Sequence, residues 1–525
     1  MDQFIAKYRD QLNGVISGFD RLVFHGNLRT ISSARDMEKY LAFNRILKKD
    51  FGQHVRDVSQ RLKQASVAEA VRTGRPVIYL RDGQQSKEDL ARSIAARDQI
   101  REGLICVLTA IEVCWSFKIV PDRETHKLKV KACTRKCLHL YHYWMDPQVG
   151  FMSARIQSWF PFPIQVCMNG REWLARQMDT EKLQYARQDN CFVWLQDYDR
   201  AQALLHAQLR WSWPEWLSRL AQKLNPLHEQ IFQRYRTYYY WTVYQDEWAT
   251  DLVFRDAEFL RRRYACWVPQ ALATFGSPDV MRFLGRHVPV SGNIPRRFKA
   301  ALKSDVKRRQ EGVRIKHSLN GNSQKLYDKA FTPIGNVLRA EMTMQNPTDF
   351  QVYRPKQGGA DDDLAWRPLR RGVADLHRRA EVAQKANERY LNALASLDDS
   401  TALEELIDPL SQPVTWNGNR LRGLRVWDAA DYRPLMAISR GEFVINGLRN
   451  RDLRHLLFDD APSSQQQARQ RCAKVSRILR LLRAHGLLQK VPRTHRYQVS
   501  EYGRTILTAL FAARRATVAQ LTKAA

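Results

Sequence analysis

Between Gly103 and Gly170 apolar residues recur at about every second position, and two turn signals break the run. This pattern constrains the fold more than any other stretch. Strand side chains alternate between two faces, so a sustained period of two fits a strand and cannot give a helix one coherent apolar side. "CWSFKIV" and "KLKVKAC" flank "PDRETH", and "CLHLYHYWM" and "FMSARIQSWF" flank "DPQVG". Both read as hairpins, and together they predict an antiparallel, aromatic-rich meander. "NGREWLARQM" then predicts a helix starting after Asn169-Gly170.

The same alternation bears on metal chemistry. The chain has 8 Cys and no CxxC pair, so neither a disulfide framework nor a zinc ribbon is indicated. Cys133, Cys137, His139 and His142 are zinc-type residues close in sequence. A strand here puts Cys137 and His139 on one face and His142 on the other, which does not close a tetrahedron.

Charge limits the partners. Lys plus Arg is 85 against 54 for Asp plus Glu, a net of +31 over 525 residues. A chain this basic is expected to bind a polyanion, DNA first and RNA second. No run approaches the ~18 apolar residues of a membrane span, and "MDQFIAKYRDQLNGVISGF" has no signal-peptide core. The expectation is an intracellular, cytoplasmic protein with no membrane partner. There is no GxxxxGK[ST] phosphate loop and no GxSxG elbow.

The expected fold is multi-domain α+β: a helical N-terminal region, an antiparallel aromatic-rich sheet domain and a distinct C-terminal module. Residues 1–102 read as mostly helical, 103–300 as antiparallel sheet plus helices, 301–355 as a basic helix and a three-stranded meander, 356–435 as linker and long helix, and 436–525 as the C-terminal domain. Ser33 and Ser86 are helix caps, with Asp89 at the third helical position after Ser86 and Gly103 as that helix's end. "FDRLVFHG", with Asp20 near its start, and "RPVIYLRDG" read as short strands. "GSPDVMRFLGR" reads as a helix capped by Ser277, and "RRFKAALKSDVKRRQEG" as a basic helix ending at Gly312. "SQPVTWNGNRLRG" reads as loop. The aromatic run from Tyr235 to Trp241 fits core packing, with base stacking as the alternative.

The central meander offers the first candidate site. Asn320-Gly321 is a strong two-residue hairpin signal joining "VRIKHSL" to "SQKLYDK", and "FTPIGN" leads on into "VLRAEMTM". Leu326, Leu338, Ala340, Met342 and Met344 form the core side. Lys325, Tyr327, Lys329, Arg339, Glu341 and Thr343 form the opposite face, joined by Arg314 and Lys316 as nucleic-acid contacts. That face reads as a solvated sheet surface, a nucleic-acid surface, or a catalytic one. In the catalytic case Tyr327 is a nucleophile with its pKa lowered by the cations. Glu341 and Asp328 then hold a divalent cation, Mg²⁺ or Mn²⁺. Other carboxylates compete for such an ion: Asp20, Glu112, Glu247 and Asp251, the last two sharing a face if helical. "GNSQKLYDK" with "LRAEM" is similar to hairpins of rolling-circle replication initiators of plasmids and phages. The chain departs from their His-hydrophobic-His metal motif, since "HLYH" (His139 to His142) has two residues between its histidines.

The C-terminal segment offers the second. Val475, Leu479 and Leu482 recur at helical spacing and Gly486 ends the helix. "LLQKV" and "RYQVS" flank a basic loop, and Ser500 caps a last helix. From Gly447 to Ala513 this resembles winged-helix DNA-binding domains of the MarR type. The resemblance implies a recognition helix over Ala468–His485 presenting Arg471, Lys474, Arg477 and Arg480. It implies a wing of Arg493, Thr494, His495 and Arg496, with DNA as partner. More than 440 residues precede this module, which points to a nuclease-like initiator or transposase of a mobile element or plasmid. The alternative is a non-enzymatic DNA- or RNA-binding protein.

Overall fold

The computed structural model describes residues 1–81, 85–274, 280–281, 283–284, 303–309, 312–328, 336–356, 364–395, 403–439, 448–458, 460, 462–491 and 494–515. The protein is mixed α/β. It divides into two units, Gly14–Asp251 with Thr343–Gln384, and Met1–Asn13 with Leu252–Met342 and Lys385–Ala525. Each unit gathers segments far apart in the chain, where the sequence suggested five consecutive blocks. Among the described residues no helix is long and apolar enough to cross a membrane.

The first unit is built on strands β1 (Leu12–Leu28), β2 (Val77–Tyr79), β3 (Gly103–Pro121), β4 (Leu128–Asp146), β5 (Gly150–Gln157) and β6 (Ile164–Asn169). A separate hairpin pairs β7 (Tyr185–Gln188) with β8 (Cys191–Leu195), and β9 (Tyr239–Phe254) completes the main sheet. The order across the main sheet is β9-β1-β6-β5-β4-β3-β2. β2 runs parallel to β3, and β3 to β6 form the expected antiparallel meander, so the sheet is mixed. Residues 1–102 are mostly helical, as expected, but the short strand expected over Phe19–Gly26 is the middle of β1, a 17-residue strand. Its ladder with β6, Arg21 to Asn169 through Gly26 to Ile164, connects segments remote in sequence.

Both faces of the meander are covered at one end. Helix Lys87–Arg97 brings Ala91, Ile94 and Ala95 against Ile105, Leu108 and Tyr143. Helix Phe51–Arg72 brings Ala70 against Leu104 and Val107. Ser33 and Ser86 cap their helices through the amides of Asp36 and Asp89, and the second helix stops at Arg97 rather than Gly103. Asn169 caps helix Gly170–Thr180. Gly170 has no substitute there, because a Cβ would lie 2.0 Å from the Phe19 carbonyl oxygen.

The second unit carries β10 (Lys303–Arg309), β11 (Gly312–Leu319), β12 (Asn322–Asp328) and β13 (Val337–Met344), hydrogen-bonded in that order. The basic helix expected before Gly312 is corrected: Lys303–Arg309 is a strand, paired residue by residue with β11 from Lys303–Ser318 to Arg309–Gly312. A ladder partner overrides the local helix preference of Lys and Arg. Asn320 and Gly321 take φ values of 50° and 80°, which both residues tolerate and which a two-residue hairpin requires. Helix Leu376–Ala395 extends into this unit and offers Asn387 to Gln324 and Tyr390 to His317.

The C-terminal part of this unit has its own core. Helix Ala429–Ile438 is followed by a bridge from Leu448 to Tyr497, helices Asn450–Leu457 and Gln465–Ala484, a hairpin of Leu488–Lys490 with Tyr497–Val499, and helix Glu501–Arg515. Val475, Leu479 and Leu482 are buried as their spacing predicted, and Ser500 caps the last helix through the Gly503 amide. Part of the segment read as loop is a hairpin, Val414–Trp416 with Asn419–Leu421. The cap at Ser277 lies outside the described residues.

Candidate nucleic-acid interface and carboxylate sites

The polar face of the central hairpin is not a wet surface. Lys325, Tyr327, Arg339, Glu341 and Thr343 are all buried, and Arg314 and Lys316 are half-buried. The reason is the ladder: Lys325 on β12 lies opposite Lys316 on β11, and its ammonium donates to Glu341 Oε1 on β13 at 2.5 Å. This ion pair satisfies both charges away from water. The lowered pKa expected for Tyr327 is corrected as well. Burial, reinforced by the Glu341 carboxylate, pushes its phenol up to about 12, although Lys325 and Arg314 pull the other way. A phenol that holds its proton at neutral pH is a poor nucleophile. The Asp328 side chain, Lys329 and Arg493 lie outside the described residues.

The remaining carboxylates fall into three settings. Asp251 is fully buried against Arg171, 2.9 Å away, and the guanidinium also donates to the Ala249 carbonyl. That is a structural ion pair. Asp251 and Glu247 do share a face, but of strand β9 rather than of a helix, since residues four apart also align on a strand. Glu112, on β3, accepts from the Tyr141 hydroxyl at 2.6 Å and pairs with Lys87 at 3.2 Å and Arg155 at 3.4 Å. Burial would raise its pKa, but Tyr141 and Lys87 outweigh this and hold the carboxyl below its ordinary value.

Asp20 and Glu247 are the third setting. Asp20, buried on β1, accepts from Asn190 Nδ2 at 2.7 Å and from Asn169 Nδ2 at 3.4 Å. Asn169 does two jobs, because its Oδ1 caps the following helix through the Arg171 and Glu172 amides. A carboxylate oxygen of Glu247 comes within 4.8 Å of one from Asp20. Two carboxylates at that spacing can ligate one hard divalent cation. Asp20 and Glu247 are 227 positions apart in the chain, so spacing in the sequence carried no signal of their approach.

The zinc-type residues of β4 behave as the strand reading predicted. His139 and His142 are both buried on opposite faces, and burial pushes each down to about 4, so both rings are neutral. His139, Cys114, Arg155 and Gln157 help line a cavity of about 280 Å³.

The C-terminal helix Gln465–Ala484 has the opposite character. Lys474, Arg477 and Arg480 are exposed on the side away from Val475, Leu479 and Leu482. Arg471 is engaged: it donates to the Asp460 carboxylate at 2.8 Å and lies over the Phe458 ring. Arg496 is half-buried at the end of the loop joining the two short strands. No protein-family model, curated protein or solved structure matches the chain.

Proposed function

We propose that the protein binds nucleic acid, DNA in the first place and RNA in the second, and that its C-terminal module is a winged helix in a multi-domain α+β chain. The observation that carries this reading is the exposed Lys474, Arg477 and Arg480 face on a helix whose other side is core. A helix fits the major groove, where Arg reads guanine with two donors and Lys meets phosphate. The order helix, bridge, helix, helix, hairpin supports it, as does the net charge of +31. The test is duplex binding by the full chain against salt. Affinity should fall by about 10³ between about 50 and 200 mM if some six phosphates are contacted. Arg477→Gln with Arg480→Gln should flatten that slope, and salt-independent binding would overturn the reading.

A second reading, cation-dependent phosphodiester cleavage or strand transfer of the kind a mobile-element initiator or transposase performs, is favoured by the approach of Asp20 to Glu247. There Mg²⁺ or Mn²⁺ would polarise a phosphoryl oxygen. Incubation of labelled DNA with either ion or with EDTA tests it. Cleavage should require the ion and vanish in Asp20→Asn, and no cleavage under either ion leaves the non-enzymatic binder.

A further inference from the structure

We infer that the β3–β4 ribbon carries a second nucleic-acid contact, a lysine face that meets the phosphate backbone of a duplex. The inference rests on the proposed nucleic-acid binding and assigns it a surface in the other unit. The outer half of the ribbon, Lys118 to Lys136, bears Lys118, Arg123, Lys127, Lys129, Lys131, Arg135 and Lys136 against Asp122 and Glu124. Register sorts these residues. Lys118 lies directly opposite Lys131, Val120 opposite Lys129 and Cys114 opposite Arg135. Directly opposed residues share a face, and positions two apart on a strand do too, so Lys118, Lys129 and Lys131 point the same way.

All three lysines are exposed. Lys129 pairs with Asp122 at 3.4 Å. Among the described residues Lys118 and Lys131 have no ion-pair partner. Arg135 lies 3.8 Å over the Trp159 ring, which fixes a further cation on that side. Like charges directly opposite each other destabilise a strand pair, so this arrangement costs the ribbon stability. An external anion is what turns the repulsion into attraction.

The ribbon is also held still. Glu38, on helix Ala34–Phe43, accepts from the Val130 amide at 3.0 Å and from Lys48, and Lys48 in turn donates to the Leu128 carbonyl. Val130 is buried on the face opposite the lysines. The backbone that carries the lysines is therefore anchored along β4, and their side chains face outward. With the strand backbone already fixed, only the lysine side chains have to order when they meet phosphates. Duplex rather than single strand is the chosen partner. Trp115 and Phe117 alternate onto the other side of β3, and the Trp159 ring on the lysine side is already covered by Arg135, so neither stacks a base beside the lysines.

The test uses the full chain and a labelled duplex, with the dissociation constant followed against salt. Lys118→Gln with Lys131→Gln should lower the slope of log K against log salt by about 2, since each phosphate contact contributes about 0.9. Lys118→Arg with Lys131→Arg should keep the wild-type slope. A wild-type slope in the glutamine variant, with a reduced slope in Arg477→Gln/Arg480→Gln, overturns the ribbon and leaves the C-terminal reading intact. A slope lowered on single-stranded DNA or RNA but not on duplex overturns the assignment of the partner. No salt-dependent binding by the wild type overturns both.

Discussion

Two lysine pairs face each other across strands in this protein, and they have opposite fates. Lys316 opposes Lys325 in the central hairpin, and Lys118 opposes Lys131 in the long ribbon. Both occur in alternating Lys-apolar text that reads the same in sequence. In the first pair Lys325 is buried and answered by Glu341 on the next strand. In the second both lysines are exposed and neither has an ion-pair partner among the described residues. A cross-strand charge pattern is therefore not a function by itself. What lies on the third strand decides whether it is internal bracing or a surface for an external anion.

The sharpest way to break this comparison is to remove one lysine from each pair. Lys325→Met removes the buried ammonium that Glu341 accepts from and should cost about 3 kcal/mol in chemical denaturation. Lys131→Met strands nothing, and its stability should stay within about 0.5 kcal/mol of wild type. Equal losses would mean that the two pairs do not differ as described.

Acid should reveal the buried polar groups next. Burial holds His142 at about 4 while the unfolded ring titrates near 6.5. The unfolded state then binds the proton first, so stability is full above about pH 6.5 and falls as pH drops towards 4. The loss is about 2 kcal/mol at about pH 5 from this residue. His142→Gln should remove that share of the pH dependence, and an unchanged denaturation profile would contradict it.

The smallest effect sharpens the comparison most. Lys131→Glu converts a like-charged cross-strand pair into an attractive one and should raise stability by about 0.2–1 kcal/mol. The same change should weaken duplex binding. Higher stability with lower affinity marks a surface kept for a partner, whereas a loss of both would make Lys131 structural.

Local chemistry in the sequence determined a good deal. The caps at Ser33, Ser86 and Asn169, the hairpin at Asn320-Gly321, the strand period from Gly103 to Gly170 and the buried Val475, Leu479 and Leu482 depend on residues within a few positions of one another. A reader of the chain can weigh such contacts directly. Tertiary structure alone decided that Lys303–Arg309 is a strand, because its ladder partner outweighs its own propensity. It alone decided that the Tyr327 phenol titrates above its ordinary value rather than below it, since burial is a property of what packs around it. The same holds for Asp251 finding Arg171 and Asp20 meeting Glu247. Those contacts join distant parts of the chain, and a carboxylate carries the same letter whether it braces a core or waits for a cation.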